Sequence, residues 1–159
     1  MIIIGYQGIG KSTLAKGNMQ YIDLESSNFF IDGKRPDGWE KMYTRIAEHL
    51  SEQGYTVFTS CHKEVQDALR ESKEEVCICC PSLELKDCWL HKLEDRYNLT
   101  NSDKDYRAWM NAVQKYDDSI SVLISAGFKL ILLSDMDYSL HEEICNHVKR
   151  GLFNNFELS

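Results

Sequence analysis

The stretch Met1-Ile2-Ile3-Ile4-Gly5-Tyr6-Gln7-Gly8-Ile9-Gly10-Lys11-Ser12-Thr13 decides how the rest of the chain is read. Its apolar opening predicts a buried strand over 1–4. Gly5 to Ser12 then fit G-x-x-x-x-G-K-S, and Thr13-Leu14-Ala15-Lys16 continues as a helix-compatible stretch. Strand, glycine loop and helix in that order are the context that gives this motif its meaning. Gly5, Gly8 and Gly10 let the backbone turn tightly and aim successive N–H groups inward, which makes a cradle for an anion. The positive end of the following helix adds to it. In a loop of this kind the lysine reaches the β- and γ-phosphates and the Ser hydroxyl joins Mg²⁺. The candidate phosphate-contacting residues are therefore Gly5, Gln7, Gly8, Ile9, Gly10, Lys11, Ser12 and Thr13. Lys11 is the candidate catalytic cation, Ser12 a candidate metal ligand, and ATP and Mg²⁺ the expected cofactors.

Working outward, the 159 residues are 43% hydrophobic and 27% charged, a balance that suits one globular domain with a sizeable core. A net charge of −7 opposes the coating of duplex nucleic acid, which calls for a basic face. A strand beginning at residue 2 leaves no room for a signal or transit peptide. No apolar run nears the ~20 residues of a membrane span. The expectation is a cytoplasmic protein with neither membrane nor duplex partner. Three of the six cysteines fall in Val76-Cys77-Ile78-Cys79-Cys80. C-x-C-C on an apolar strand lacks the paired spacing of zinc ligands, so these thiols read as core. Cys145 and His147 lie two apart on a predicted helix, off a common face, and take no metal role.

Strands alternate with helices, which predicts a parallel sheet with helices on both faces. Strands are expected at 1–4, 19–23, 55–59, 76–80 and 129–133. A helix over 38–52 has Asp37 as its cap and Trp39, Met42, Tyr43, Ile46, Ala47 and Leu50 as its inward stripe, with Gly54 closing it. The next carries Val65, Ala68 and Leu69 inward. A third covers 83–97 through Leu85, Trp89 and Leu93. A long one runs 103–125 with Tyr106, Trp109, Met110, Val113, Ile120 and Leu123 aligned, and a last spans 139–150. In such folds ligands sit beyond the carboxyl ends of the strands. Four places follow: the glycine loop, residues 23–37, residues 60–63 and the segment after the fourth strand.

The second strand ends Asp23-Leu24-Glu25. Acids two apart in extended chain point the same way. One carboxylate can hold Mg²⁺ through water, which is the role assigned to Asp23. The other can orient or deprotonate an acceptor hydroxyl, the role assigned to Glu25, although the two roles are exchangeable. After the third strand comes Ser60-Cys61-His62-Lys63, without the aspartate that often serves a metal there. Ser60 or His62 faces the site, or His62 merely begins a helix. Phosphoryl transfer also needs cations over the moving group. A lid over 92–107 offers Lys92, Arg96, Lys104 and Arg107, and Arg96, beside the hinge 97–102, is the catalytic candidate. Lys34 and Arg35, in the Gly/Pro-marked loop 32–38, either meet an anionic acceptor or lie in a plain turn.

The assembled pattern resembles the small P-loop kinases of metabolites and nucleotides: shikimate kinase, gluconate kinase and the nucleoside monophosphate kinases. The Asp23-Leu24-Glu25 stretch is similar to the acid-x-acid acceptor motif of shikimate kinase. The chain also resembles short ATP-binding proteins of phages and prophages of Gram-positive bacteria. That likeness rests on Tyr21–Phe29, on Asp32-Gly33-Lys34-Arg35-Pro36 and on Pro81-Ser82-Leu83-Glu84-Leu85-Lys86. The resemblance implies a single P-loop NTPase-type domain over 1–159, a sheet of order 2-3-1-4-5 and an arginine-bearing lid between the fourth and fifth strands. The chain departs from that pattern in lacking both the acid-and-arginine signature that nucleoside monophosphate kinases carry on the third strand and a clear multi-arginine lid. The expected activity is an ATP-dependent kinase whose acceptor is a deoxynucleoside monophosphate or nucleoside. The competing expectation is a nucleotide-gated binding protein or slow ATPase that acts through a protein partner. A nucleic-acid-end kinase would need a local basic groove that the acidic composition disfavours.

Overall fold

Ile2–Gly5 form β1, the middle strand of the molecule, and every residue in it is buried. A computed structural model describes the chain over residues 1–156, with side-chain surroundings as far as residue 151. β1 pairs in parallel with β3 (Thr56–Thr59) on one side and β4 (Val76–Pro81) on the other. β2 (Tyr21–Asp23) adds to β3, and β5 (Lys129–Leu133) adds to β4. The five strands thus run parallel in the order β2-β3-β1-β4-β5, as expected. Between them lie α1 (Lys11–Gly17), α2 (Trp39–Glu52), α3 (Lys63–Leu69), α4 (Lys86–Thr100) and α5 (Asp103–Ile124), and α6 (Leu140–Phe156) closes the order. Among the described residues no helix is long and apolar enough to cross a membrane.

Continuous apolar strands are what a doubly covered parallel sheet requires. β1 and β4 meet that requirement, and Cys77, Cys79 and Cys80 are buried in β4 as small hydrophobes. Burial pushes the Cys77 and Cys80 thiols up to about 12, so both stay protonated at neutral pH. β5 departs from the expectation. It is an edge strand with Ile131 and Leu133 buried but Lys129 and Leu132 exposed, because only one of its faces is fully covered. β2 is shorter than expected, and Met19 ahead of it stands 91% exposed.

The helices correct several further readings. α2 is preceded by Gly38 in the left-handed region at φ 75°, and no side chain caps it, so Asp37 is not its cap. Its inward residues are Trp39, Tyr43, Thr44, Ala47 and Ser51, while Met42 and Ile46 are exposed. The covered arc is rotated from the apolar stripe, away from Met42 and Ile46 and towards polar Thr44 and Ser51. Thr44 satisfies its hydroxyl on the Glu40 carbonyl. In α3, Val65 and Leu69 are buried as expected; the third buried residue is Gln66 rather than Ala68. The third predicted helix splits into a 3-10 turn over Leu83–Leu85 and α4, which runs on to Thr100. Only Asn101 and Ser102 then separate α4 from α5, with Asn101 left-handed at φ 48°.

α5 faces the core with Asp105, Ala108, Ala112, Tyr116, Ile120 and Leu123. Tyr106 and Val113, expected inward, are exposed. Small Ala108 and Ala112 allow close approach to the rest of the fold, which sets the rotation of the helix. A non-helical Lys115 then bends it.

Candidate functional site

Because every strand runs the same way, their carboxyl ends share one edge of the sheet, and the glycine loop leaves β1 there. Gly8 and Gly10 take φ 85° and 99°, a region that costs a β-carbon-bearing residue strain. At Gly8 a Cβ would also stand 2.9 Å from Leu93 Cδ2 and 3.2 Å from Trp89 Nε1. At Gly5 it would stand 2.7 Å from Lys11 Cδ. The missing side chain therefore lets Lys11 fold across the loop, where its Nζ donates to the Gly5 carbonyl at 2.8 Å.

The outer side of the loop is gripped from three elements. Trp89 Nε1 of α4 donates to the Gln7 carbonyl at 3.0 Å. Gln7 Nε2 donates to the Ala108 carbonyl of α5 at 2.7 Å, so the Gln7 side chain is engaged with α5. Tyr138, beyond β5, donates its hydroxyl to the Ile9 carbonyl at 2.9 Å. Lys92 sits over the Trp89 and Tyr138 rings at 4.4 and 4.8 Å and donates to the Tyr138 hydroxyl. These supports are absent from the sequence reading. A backbone carbonyl as hydrogen-bond partner leaves no trace in residue identity.

The paired acids come to the loop. α1 packs against β2, and the Ser12 hydroxyl donates to the Asp23 carboxylate. Hydroxyl and carboxylate are hard oxygen donors of the kind Mg²⁺ takes, two at a time, alongside phosphates and water. Glu25 accepts a charge-assisted hydrogen bond from Lys104, in the first turn of α5. Burial raises the Glu25 carboxyl, but Lys104, Lys11 and the Ser27 amide outweigh it and hold the group below its ordinary value. The segment is stiff. Leu24 N–H bonds to the Phe58 carbonyl at 3.0 Å, extending the ladder past β2. Tyr43 donates to the Leu24 carbonyl at 2.6 Å and accepts the Ser60 amide at 2.9 Å, so it bolts the acidic segment to the end of β3.

The remaining candidates are placed as follows. Arg96 Nε lies 2.7 Å from Asp105 Oδ1, an ion pair across the α4–α5 turn without the alignment of a hydrogen bond. Asp105 Oδ2 also accepts the Thr100 and Ser102 hydroxyls at 2.6 and 2.9 Å. Arg96 is thus tied to the hinge rather than held free over the loop. His62 precedes α3, stands edge-on to Trp39 at 5.6 Å and meets Ser60 Oγ at 2.8 Å. Burial, with Arg35 and Lys11 nearby, lowers its pKa, so it is neutral near pH 7. Cys61 is pushed up by burial against the pull of Lys11, and is a thiol rather than a nucleophilic thiolate. Residues 31–34 make a tight hairpin, with Asp32 and Gly33 both at positive φ, and Ile31 and Lys34 exchanging backbone bonds. Arg35 turns back from it onto Ser26.

Two surface hollows lie elsewhere. One of about 560 Å³ sits at the opposite, amino edge of β4 and β5, against Glu75, Val76, Phe128 and Lys129. One of about 690 Å³ lies between α2 and α3. Neither is lined by a residue of the glycine loop. Among known proteins, no family model matches the chain, and no curated protein matches it either.

Proposed function

We propose that the chain is a kinase of the P-loop NTPase fold that transfers the γ-phosphoryl group of ATP to a deoxynucleoside monophosphate or a nucleoside. The observation that carries the reading is the bond from Ser12 to Asp23. It joins the hydroxyl of G-x-x-x-x-G-K-S to a strand-end carboxylate, at the edge of a parallel sheet where ligands of such folds bind.

Each residue then has a task. The amides of Gly8–Thr13 and the Lys11 ammonium receive the phosphate chain. Ser12 and Asp23 would hold Mg²⁺, which supplies neutralising charge between the phosphates. Lys11 stabilises the charge that builds on the transferred group. Glu25, kept ionised by Lys104, accepts a hydrogen bond from the acceptor hydroxyl. Its lowered pKa makes it an orienting group more than a strong base. Lys104 comes from the segment where a lid cation is needed. Arg96 assists by fixing the turn that presents Lys104, and reaches a phosphoryl group itself only if its pair with Asp105 opens.

The test is ADP release from ATP–Mg²⁺ across a panel of nucleosides, nucleotides, sugars and hydroxy acids. At least one nucleoside or nucleotide raises the rate well above ATP alone, and the rise vanishes in Lys11→Ala. Equal rates with and without every acceptor would reject the kinase. The second reading, a nucleotide-gated binding protein, is favoured by one feature. Gln7 and Trp89 link the glycine loop directly to α4 and α5, a path by which bound nucleotide would move two long helices. That reading requires ADP release to respond to a protein partner and to no small acceptor.

A further inference from the structure

A trans peptide holds its C=O and N–H on opposite sides, and no peptide bond among the described residues is cis. A side chain that fixes a carbonyl therefore also aims the next residue's amide. The glycine loop has two carbonyls fixed in this way. Trp89 Nε1 holds that of Gln7 at 3.0 Å, and the Tyr138 hydroxyl holds that of Ile9 at 2.9 Å, with the Gly8 carbonyl a longer second contact at 3.5 Å. The amides so aimed belong to Gly8 and Gly10, and each points away from the side chain that holds its peptide. Neither donates to a backbone carbonyl among the described residues. Both glycines have positive φ and no side chain to restrain them, so unheld peptides ahead of them would turn at little cost.

Tyr138 has a cation behind it. Lys92 Nζ donates to its hydroxyl at 2.8 Å and lies 4.4 Å from the Trp89 ring centroid and 4.8 Å from that of Tyr138. The two rings are 16° from parallel, with centroids 6.1 Å apart. No carboxylate lies within ion-pair distance of Lys92 among the described residues, so its charge is directed at two rings and one hydroxyl. An ammonium that donates to a phenol oxygen polarises the O–H and strengthens the bond that the O–H donates. Burial holds Tyr138 as the neutral phenol, the form that can donate. Lys92, Tyr138 and the Ile9 carbonyl thus form one chain of hydrogen bonds, from α4 through the segment after β5 to the loop.

We infer that Tyr138 is a positioning residue for the nucleotide's phosphates and that Lys92 acts through it. The hydroxyl holds the Ile9 carbonyl back, and so holds the Gly10 N–H toward the phosphate chain before the nucleotide arrives. An amide already aimed costs no ordering on binding. Lys92, which the sequence offers as a lid cation over the moving phosphoryl group, works instead from behind the loop. The inference rests on the loop's binding of a nucleotide, and not on transfer to an acceptor.

The experiment follows ADP–Mg²⁺ binding to the full chain by calorimetry, and the Gly10 amide resonance by ¹⁵N–¹H NMR. The variants are Tyr138→Phe, Lys92→Met, Lys92→Arg, the double Tyr138→Phe, Lys92→Met and, as a control, exposed Tyr55→Phe ahead of β3. Tyr138→Phe keeps the ring and removes only the hydroxyl. It weakens ADP binding by about fivefold to tenfold, the effect of one lost hydrogen bond, with the melting temperature near wild type. ADP moves the Gly10 amide proton downfield in the wild type and moves it less in Tyr138→Phe. Lys92→Met weakens binding in the same direction and Lys92→Arg restores it. The double variant binds no worse than Tyr138→Phe, because the ammonium acts through the hydroxyl. Tyr55→Phe changes nothing. Wild-type affinity and a wild-type Gly10 response in Tyr138→Phe would overturn the inference and leave nucleotide binding standing. So would an affinity loss that follows a lowered melting temperature while the Gly10 response is unmoved. Losses that add in the double variant overturn the route through Tyr138. If the wild-type chain binds neither ADP nor ATP, the phosphate-loop reading and the inference fall together. If Tyr138→Phe fails to fold by circular dichroism, Lys92→Met carries the test on the same two readings.

Discussion

At the scale of single residues the account turns on Lys11, Asp23, Glu25 and Lys104. The Lys11 ammonium donates to the Gly5 carbonyl of its own loop, and Lys11 is not among the buried residues of the core. Lys11→Ala therefore keeps the melting temperature near wild type and lowers acceptor-dependent turnover by ~10²–10³. A folded Lys11→Ala variant with wild-type rates would contradict the assignment. Asp23→Asn weakens the Mg²⁺ dependence of turnover while ATP binding persists, which titration of rate against Mg²⁺ reads directly. Glu25 gives the pH prediction. Its carboxyl is held below the ordinary value chiefly because Lys104 outweighs the cost of burial. In Lys104→Met the burial cost stands unopposed by that ammonium, so the Glu25 pKa rises. Carboxyl-carbon NMR titration of both proteins shows the shift; an unmoved Glu25 would break the link. Ser12 and Asp23 were legible in the sequence because both belong to strand-end motifs. Lys104 stood only among several lid cations, and its bond to Glu25 spans 79 positions, for which no local pattern exists.

Among elements, the α4–α5 turn is the most informative. Asp105 is buried, accepts two hydroxyls and pairs with Arg96, so one carboxylate fixes the angle between two helices. Asp105→Asn lowers unfolding stability by about 2 kcal/mol, the scale of lost hydrogen bonds to a charged group, while exposed Asp103→Asn costs much less. Urea denaturation measures both. Burial raises the Asp105 carboxyl, but Thr100, Ser102, Arg96 and Lys104 together bring it below its ordinary value. The folded state then binds fewer protons than the unfolded one. Its stabilisation is complete above the ordinary carboxylate value of about 4 and is lost as pH falls through the lower folded value. The acid limb of stability against pH is flatter in Asp105→Asn, and an unchanged limb would show that the carboxylate does not act this way. This turn also marks the limit of periodicity as a guide. Tyr106 and Val113 look like core residues by type, yet α5 buries Asp105, Ala108 and Ala112 instead. Packing rewarded small residues and a satisfied acid, which a count of apolar side chains passes over.

For the molecule as a whole, four of the five strands were readable from their apolar runs, around Ile3, Val57, Ile78 and Ile131, whereas the short edge strand β2 carries only Tyr21 buried and was placed less closely. Their order was not readable from spacing. It came with the resemblance, and pairing in the sheet follows that order. Parallel topology then gathers the glycine loop and Asp23–Glu25 at one edge, with α5 reaching over from a distant part of the chain to add Lys104. That convergence is what the kinase reading explains and what a binding protein without an acceptor would not need. The most direct measurement follows the γ-phosphorus of ATP by ³¹P NMR in the presence of Mg²⁺ and a mixture of deoxynucleoside monophosphates. The account predicts that the γ signal is replaced by ADP and a new phosphomonoester on the acceptor, at a rate that collapses in Lys11→Ala. Loss of the γ signal to inorganic phosphate alone, or no change in the presence of folded protein, would contradict it.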